Sequence, residues 1–83
     1  MREIGIDTRA LEHPEPLVQA TKILQELAPD SYLYMLHRKN PIPLLDLASE
    51  QGFGVLSKED TQGDWHILIA KDPHTDLKAL LRV

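Results

Sequence analysis

Two proline pairs, each placed directly before an amphipathic segment, constrain the fold of this chain more than any other feature. The pairs are Pro14-Glu15-Pro16 and Pro41-Ile42-Pro43, and a leucine follows each of them. Proline is tolerated in the first turn of a helix, because the amides there have no acceptor within the helix, but it disrupts the helix interior. Each pair therefore predicts that a helix begins at that point.

Helical periodicity follows both proline pairs, since apolar residues recur there at spacings of three and four. The first segment is expected to end at Pro29-Asp30, and the second runs through Gln51 to a natural stop at Gly52. The apolar positions are Leu17, Ala20, Leu24 and Leu27 in the first segment, and Leu44, Leu45, Leu47 and Ala48 in the second. We expect a helix over each segment.

Four strand-like segments accompany the two helices. Residues 3–7 and 32–37 each precede a helix, whereas residues 53–58 and 64–70 are expected to form a β-hairpin. Strands joined through a helix run parallel with a right-handed crossover, which places both helices on one face of the sheet. The sequence predicts an α/β (α+β) two-layer sandwich of order β-α-β-α-β-β. Its sheet is mixed and four-stranded, with two helices on one face and the other face open.

The length of 83 residues allows one modest core. We expect a single domain over residues 1–72 and a C-terminal tail over residues 73–83. Leu77, Leu80 and Leu81 share one helical stripe in the tail, which predicts a short helix that is not stable alone.

The composition excludes several classes of chemistry. The chain contains no cysteine, so disulfides, thiolate nucleophiles and cysteine-ligated zinc are excluded. Small secreted domains usually depend on such cross-links, which favours a cytoplasmic location. The N-terminus does not resemble a signal peptide, and no apolar stretch approaches the roughly 20 residues that span a bilayer, so no membrane partner is expected. The formal net charge of −4 argues against nucleic acid as a general partner but leaves a local basic patch open.

The predicted topology gathers polar side chains at one edge of the sheet. Both helices begin beyond the carboxyl ends of the first two strands, where free amides and the helix dipole favour a ligand. The expected partner is another protein or a small anion. We expect the ligand- or partner-binding edge to consist of Arg9, His13, Glu15, His37, Arg38, Lys39 and Asn40.

A different function follows from the histidines at this edge. Neutral imidazole binds iron, copper and zinc, so His13 and His37 are candidate ligands of a transition metal in a domain that serves a redox partner. The competing structural interpretation is that His13 merely caps the first helix or forms a hydrogen bond within the turn, and Asn40 is a capping candidate for the second helix. His66 and His74 have no clustered partners in the sequence, so we expect both at the surface.

Catalysis is not indicated. The chain has no recognisable set of nucleophile, base and orienting group, no glycine-rich phosphate loop and no carboxylate pair at helical spacing. No residue is therefore assigned a catalytic role, and a binding or interaction module is the leading interpretation. A third alternative is an RNA-associated module, in which Tyr32 and Tyr34 stack on bases.

The residues around the first proline pair resemble a known motif. The segment Asp7-Thr8-Arg9-Ala10-Leu11-Glu12-His13-Pro14-Glu15-Pro16-Leu17 is similar to that of the TusA/SirA sulfur-carrier family, in which an aspartate, an arginine and a leucine precede Cys-Pro-x-Pro. The resemblance covers roughly residues 3–71 and implies the same fold. His13 stands where the family carries its persulfide cysteine. Imidazole cannot hold a persulfide, so the resemblance does not extend to sulfur relay.

A cysteine-free branch of that superfamily is more similar still. The branch consists of domains of unknown function, sometimes beside hemerythrin-type domains, which implies an iron or redox partner. Its relatives often have acidic residues and a histidine before the second proline pair, where this chain has Arg38 and Lys39. The resemblance is carried by His13-Pro14-x-Pro16-Leu17, Asn40-Pro41-Ile42-Pro43-Leu44 and Gly63-Asp64-Trp65-His66-Ile67.

Overall fold

The predicted order of strands and helices is confirmed. The computed structural model describes residues 1–83, and its elements are β1 (Arg2–Asp7), α1 (Glu15–Gln25), β2 (Ser31–His37), α2 (Ile42–Glu50), β3 (Gly54–Glu59), β4 (Trp65–Ala70) and α3 (Leu77–Leu80). β1 pairs in parallel with β2, and β4 pairs antiparallel with both β2 and β3. The strand order is β1-β2-β4-β3. The mixed four-stranded sheet of the predicted α/β fold is therefore confirmed.

Both proline pairs stand at the start of a helix, as predicted. In each pair the first proline is the residue before the helix and the second lies in its first turn. Neither helix has a side-chain cap, so the interpretation that His13 and Asn40 are capping residues is wrong. Proline supplies no amide hydrogen, and the first turn of each helix consequently has fewer donors to satisfy.

The main core lies between the sheet and the two long helices. Side chains alternate across a strand, so every second residue of β2 and β4 faces α1 and α2. Fully burying an apolar side chain of this kind contributes roughly 1.5–3 kcal/mol, and the central strands supply four of them. The buried residues of this core are Ala20, Leu24, Leu27, Leu33, Met35, Leu44, Ala48, Ile67 and Ile69.

The opposite face of the sheet is partly covered by the tail. Leu80 and Leu81 pack against a second buried cluster on this face, which consists of Tyr32, Tyr34, Leu68, Ala70 and Leu77. The expectation of an open second face is therefore wrong for this region. α3 has only four residues, and its apolar contacts with the sheet stabilise a segment that is too short to be helical alone.

Two local features position the tail and the hairpin. Gly54 begins β3 directly beneath the tail, and a Cβ at this position would lie 3.2 Å from Cα of Pro73. Gly63 closes the β3–β4 turn with φ of +84°, a conformation that favours glycine.

The longest helix, α1, has 11 residues, and no helix combines the length and apolar character that crossing a membrane requires.

Candidate functional site

A cleft of about 450 Å³ opens at the sheet edge where α1 and α2 begin. Small-molecule sites typically measure roughly 300–1,000 Å³, so the cleft suits a small ligand. Its apolar lining includes Leu11, Leu17, Met35 and Leu44. Its charged and polar side chains are Glu12, His13, His37, Arg38, Lys39 and Asn40.

The structure brings together most of the side chains that the sequence placed at this edge. His13, His37, Arg38, Lys39 and Asn40 line the cleft, whereas Arg9 and Glu15 do not. The parallel pairing of β1 with β2 explains the arrangement, because the carboxyl ends of both strands meet at one edge. What the cleft binds remains a prediction.

Arg9 is engaged outside the cleft. Its Nε and Nη2 donate to the carboxylate of Asp7 at 2.9 and 2.7 Å, and its Nη1 donates to Oδ2 of Asp64 at 3.0 Å. The side-chain bond from Arg9 lowers the pKa of Asp7 to about 2. Arg9 therefore ties the end of β1 to the β3–β4 hairpin. Glu15 is exposed in the first turn of α1.

Thr8 fixes the protonation pattern of the His37 ring. Thr8 is fully buried, and its Oγ1 lies 2.8 Å from the carbonyl oxygen of Leu36 and 3.0 Å from Nδ1 of His37. A carbonyl oxygen cannot donate, so the single hydroxyl hydrogen of Thr8 goes to Leu36. Nδ1 must then carry a hydrogen and donate it to Thr8. In the neutral ring, the lone pair is left on Nε2.

The Nε2 atom of His37 is an available acceptor. It has no hydrogen-bond partner within the chain, and it is not among the buried unpaired atoms, so solvent reaches it. Burial lowers the pKa of His37; a bond to the backbone of Thr8 opposes this shift, and the charges of Arg38 and Lys39 add to it. These effects favour the neutral form of the ring.

The Asn40 side chain contains a buried polar atom without a partner. Its Oδ1 is the one buried side-chain nitrogen or oxygen in the chain that lacks a hydrogen-bond partner. Buried polar atoms are normally paired in folded proteins, and leaving one unpaired costs about 1–3 kcal/mol. Because the atom is buried, a molecule in the cleft does not reach it in this conformation.

Each helix also has one free amide, in a residue that lines the cleft. The prolines have no amide hydrogen, and most other amides of the first turns bond to the preceding loop. The exceptions are Leu17 in α1 and Leu44 in α2, whose N–H groups have no acceptor within the chain. Both leucines line the cleft. The proline pairs thus leave one backbone donor per helix at this site.

The predicted metal ligands share the cleft but do not form a full coordination set. His13 and His37 both line it. No group of three or more histidine, cysteine, aspartate or glutamate side chains in the chain is arranged to hold a metal ion. Tetrahedral protein sites usually use three or four such side chains. A metal held by His13 and His37 would therefore need further ligands from outside this set.

A second polar cluster, which the sequence analysis missed, lies on the opposite face of the sheet. The hydroxyl of Tyr34 is 2.7 Å from Nδ1 of His66, and Nε2 of His66 is 3.0 Å from Oδ2 of Asp60. The His66 bond lowers the pKa of the Asp60 carboxyl. The His66 side chain is only 13 % exposed, so its predicted surface position is wrong. His74 is exposed, as expected.

Arg82 joins this cluster to the tail. Its backbone amide donates to the Tyr34 hydroxyl at 3.1 Å, and its guanidinium carbon lies 3.9 Å from the centre of the Tyr34 ring. Its Nη1 donates to Oε1 of Glu3 at 2.6 Å. Each of the side chains in this cluster has at least one partner within the chain. The cluster therefore holds the tail on the sheet.

The chain forms a small α+β domain with a cleft between two helix N-termini. The family described as Uncharacterized conserved protein (DUF2249) matches residues 5–71, and the chain belongs to this family. The prediction of a domain of unknown function is confirmed, and the matched residues include the whole cleft. No curated protein and no solved structure matches the chain.

Proposed function

We propose that this domain is a non-catalytic binding module whose cleft takes a small anion. The observation that carries the proposal is that Leu17 and Leu44, whose amides have no acceptor within the chain, line the same cleft as Arg38 and Lys39. A helix N-terminus carries a partial charge of about +0.5 and directs its free N–H groups toward an anion. Two helix starts and two cationic side chains therefore attract negative charge.

The rest of the lining supports binding of a small molecule. Glu12 is the only acidic side chain in the cleft, so the fixed side-chain charges favour an anion by two to one. The lining contains no serine, threonine or cysteine, the usual nucleophiles of covalent catalysis. The apolar floor excludes water from one side of a bound anion, which strengthens its hydrogen bonds.

We also propose that the family has a TusA/SirA-like origin. The supporting observations are the order of strands and helices and the proline pair after β1. His13 occupies the position of the persulfide cysteine, so the proposed role is ligand binding without sulfur relay. The cytoplasm is its proposed location, since a cysteine-free domain does not depend on an oxidising compartment.

Amide NMR with inorganic phosphate as the probe tests the proposed function. We expect saturable shifts at Leu17 and Leu44, whose amides would donate to the anion. Arg38→Gln should weaken binding by roughly 10-fold or more, since hydrogen bonds to charged groups contribute about 1.5–3 kcal/mol. Lys78→Ala is the matched control, because Lys78 lies on α3 at the opposite face and should leave binding unchanged. Unshifted Leu17 and Leu44 amides at saturating phosphate would contradict the proposal.

A metal-responsive function is the second candidate. The observation in its favour is the unprotonated Nε2 of His37, which is the form of imidazole that binds metals. Separate titrations with zinc, copper and ferrous iron distinguish the two functions. Metal binding would shift the ring signals of both His13 and His37, and substitution of either histidine would abolish it. Anion binding requires Leu17 and Leu44 instead.

A further inference from the structure

We infer that the anion bound in the cleft carries its own hydrogen-bond donor. The cleft then accepts an oxyanion that bears hydrogen, such as hydrogenphosphate. It discriminates against a fully deprotonated oxyanion, such as sulfate. The inference rests on the proposed anion-binding function and adds the chemical class of the ligand. It follows from the hydrogen-bond acceptor in the cleft. The cationic groups explain why an anion binds, but they do not explain why an acceptor faces it.

His37 Nε2 is the acceptor on which the inference depends. Its orientation is set from behind by the buried hydroxyl of Thr8, which accepts the Nδ1 hydrogen because its own hydrogen is given to the Leu36 carbonyl. The ring cannot exchange its tautomer without losing that bond. Nε2 therefore presents a lone pair to an incoming ligand, although the neighbouring residues Arg38 and Lys39 attract anions.

An oxyanion without hydrogens would bring its own lone pairs against the lone pair of His37 Nε2. A ligand with an O–H group replaces this repulsion by a hydrogen bond.

The expected discrimination is large enough to measure. Leaving a buried acceptor unpaired typically lowers affinity by about 10- to 100-fold. Phosphate and sulfate have nearly the same shape, yet only phosphate carries hydrogen at neutral pH. The cationic groups attract the sulfate dianion at least as strongly as phosphate, which is partly a monoanion at this pH, so they do not explain a preference for phosphate. The lone pair of His37 Nε2 is the part of the cleft that distinguishes the two anions.

The test is a pair of NMR titrations at pH 7 and constant ionic strength, with inorganic phosphate and with sulfate. We expect phosphate to bind at least about 10-fold more tightly than sulfate. In His37→Phe the ratio of the two affinities should fall toward one, since the variant lacks the ring nitrogens. His74→Phe is the matched control, because His74 is exposed in the tail and outside the cleft.

Thr8→Val adds a variant that acts through the tautomer. Valine keeps the shape of threonine, but its side chain cannot accept the Nδ1 hydrogen. The preference for hydrogen on Nδ1 is therefore weakened, and sulfate should bind better than in the wild type. Long-range ¹H–¹⁵N spectra of the unliganded wild type test the same point without any ligand. They should show Nδ1 protonated and Nε2 unprotonated.

The outcomes separate the inference from the proposed function. Equal affinity for phosphate and sulfate, or a protonated Nε2 in the neutral ring, would overturn the inference while anion binding stands. If neither anion shifts Leu17 and Leu44, the proposed function is wrong and the inference fails with it. A phosphate preference that persists in His37→Phe would also overturn the role given to His37.

Discussion

The Oγ1 atom of Thr8 lies 3.0 Å from Nδ1 of His37, and this contact joins the ends of two parallel strands at the cleft. The hydroxyl is fully buried and serves two residues of β2, because it also donates to the Leu36 carbonyl. The geometry of the cleft therefore depends on a residue that does not itself line it.

Replacing Thr8 by valine should destabilise the domain by about 1–3 kcal/mol, because the Nδ1 hydrogen of His37 loses its partner. The Thr8 amide still donates to the Leu36 carbonyl, so the strand pairing should persist. Urea denaturation measures the change in the free energy of unfolding. Thr61→Val in the exposed hairpin turn is the control and should lie within about 0.5 kcal/mol of the wild type. Equal stability of Thr8→Val and the wild type would contradict this account.

His37 should make the domain less stable in mild acid. Burial lowers its pKa in the folded protein, so the unfolded chain binds more protons once the pH falls below the ordinary histidine value of about 6.5. The contribution is therefore fully present above that value and is lost as the pH falls through the folded pKa. Urea denaturation from pH 7.5 to pH 5 should show a smaller decrease for His37→Gln than for the wild type. An identical pH dependence would rule out this contribution.

The Asp7 carboxyl should titrate at an unusually low pH. Hydrogen bonds from Arg9 lower its pKa to about 2 from 3.8, so the associated stability is present above 3.8 and is lost as the pH falls toward 2. In Arg9→Gln the pKa should return toward 3.8, as followed by the ¹³C signal of the carboxyl group. Arg2→Gln, a change on the same strand without contact to Asp7, should leave that titration unchanged. No movement in Arg9→Gln would show that Arg9 is not the cause.

Shortening Leu77 should release the tail from the sheet. Leu77 is 7 % exposed and packs against the second cluster, and truncation of a buried leucine to alanine typically costs 2–5 kcal/mol. We expect Leu77→Ala to fall near the lower end, about 2 kcal/mol, because the site lies near the chain terminus and can relax. Hydrogen exchange should become faster at Leu80 and Leu81, while Lys78→Ala leaves it unchanged. Protection that survives in Leu77→Ala would mean that other contacts hold the tail.

The sequence was sufficient to predict the helix starts and most of the cleft. Each proline pair acts within its own first turn, so local rules locate it, and the parallel order of β1 and β2 then brings His13 near His37. Thr8 could not be identified in this way. Its role depends on the strand register that pairs Asp7 with Leu36, and register is set by contacts across the whole sheet.

The other differences between the predictions and the structure arise from hydrogen-bond partners that lie in other segments of the chain. Arg9 was expected at the cleft, but Asp64 lies 55 residues away along the chain and binds the guanidinium instead. His66 was expected at the surface because its partners, Tyr34 and Asp60, belong to other segments. The helical pattern of the tail is too short to predict that the tail packs on the sheet. Its position depends on the apolar surface that β2 and β4 present.

The proline pairs have a consequence for how related domains can diverge. An ordinary helix start offers up to four backbone donors, whereas Leu17 and Leu44 each offer one at this cleft. These two donors belong to the backbone, so substitutions of the surrounding side chains can alter the charge and size of the cleft without removing them. Members of the family that keep both proline pairs would therefore anchor different ligands at the same two points.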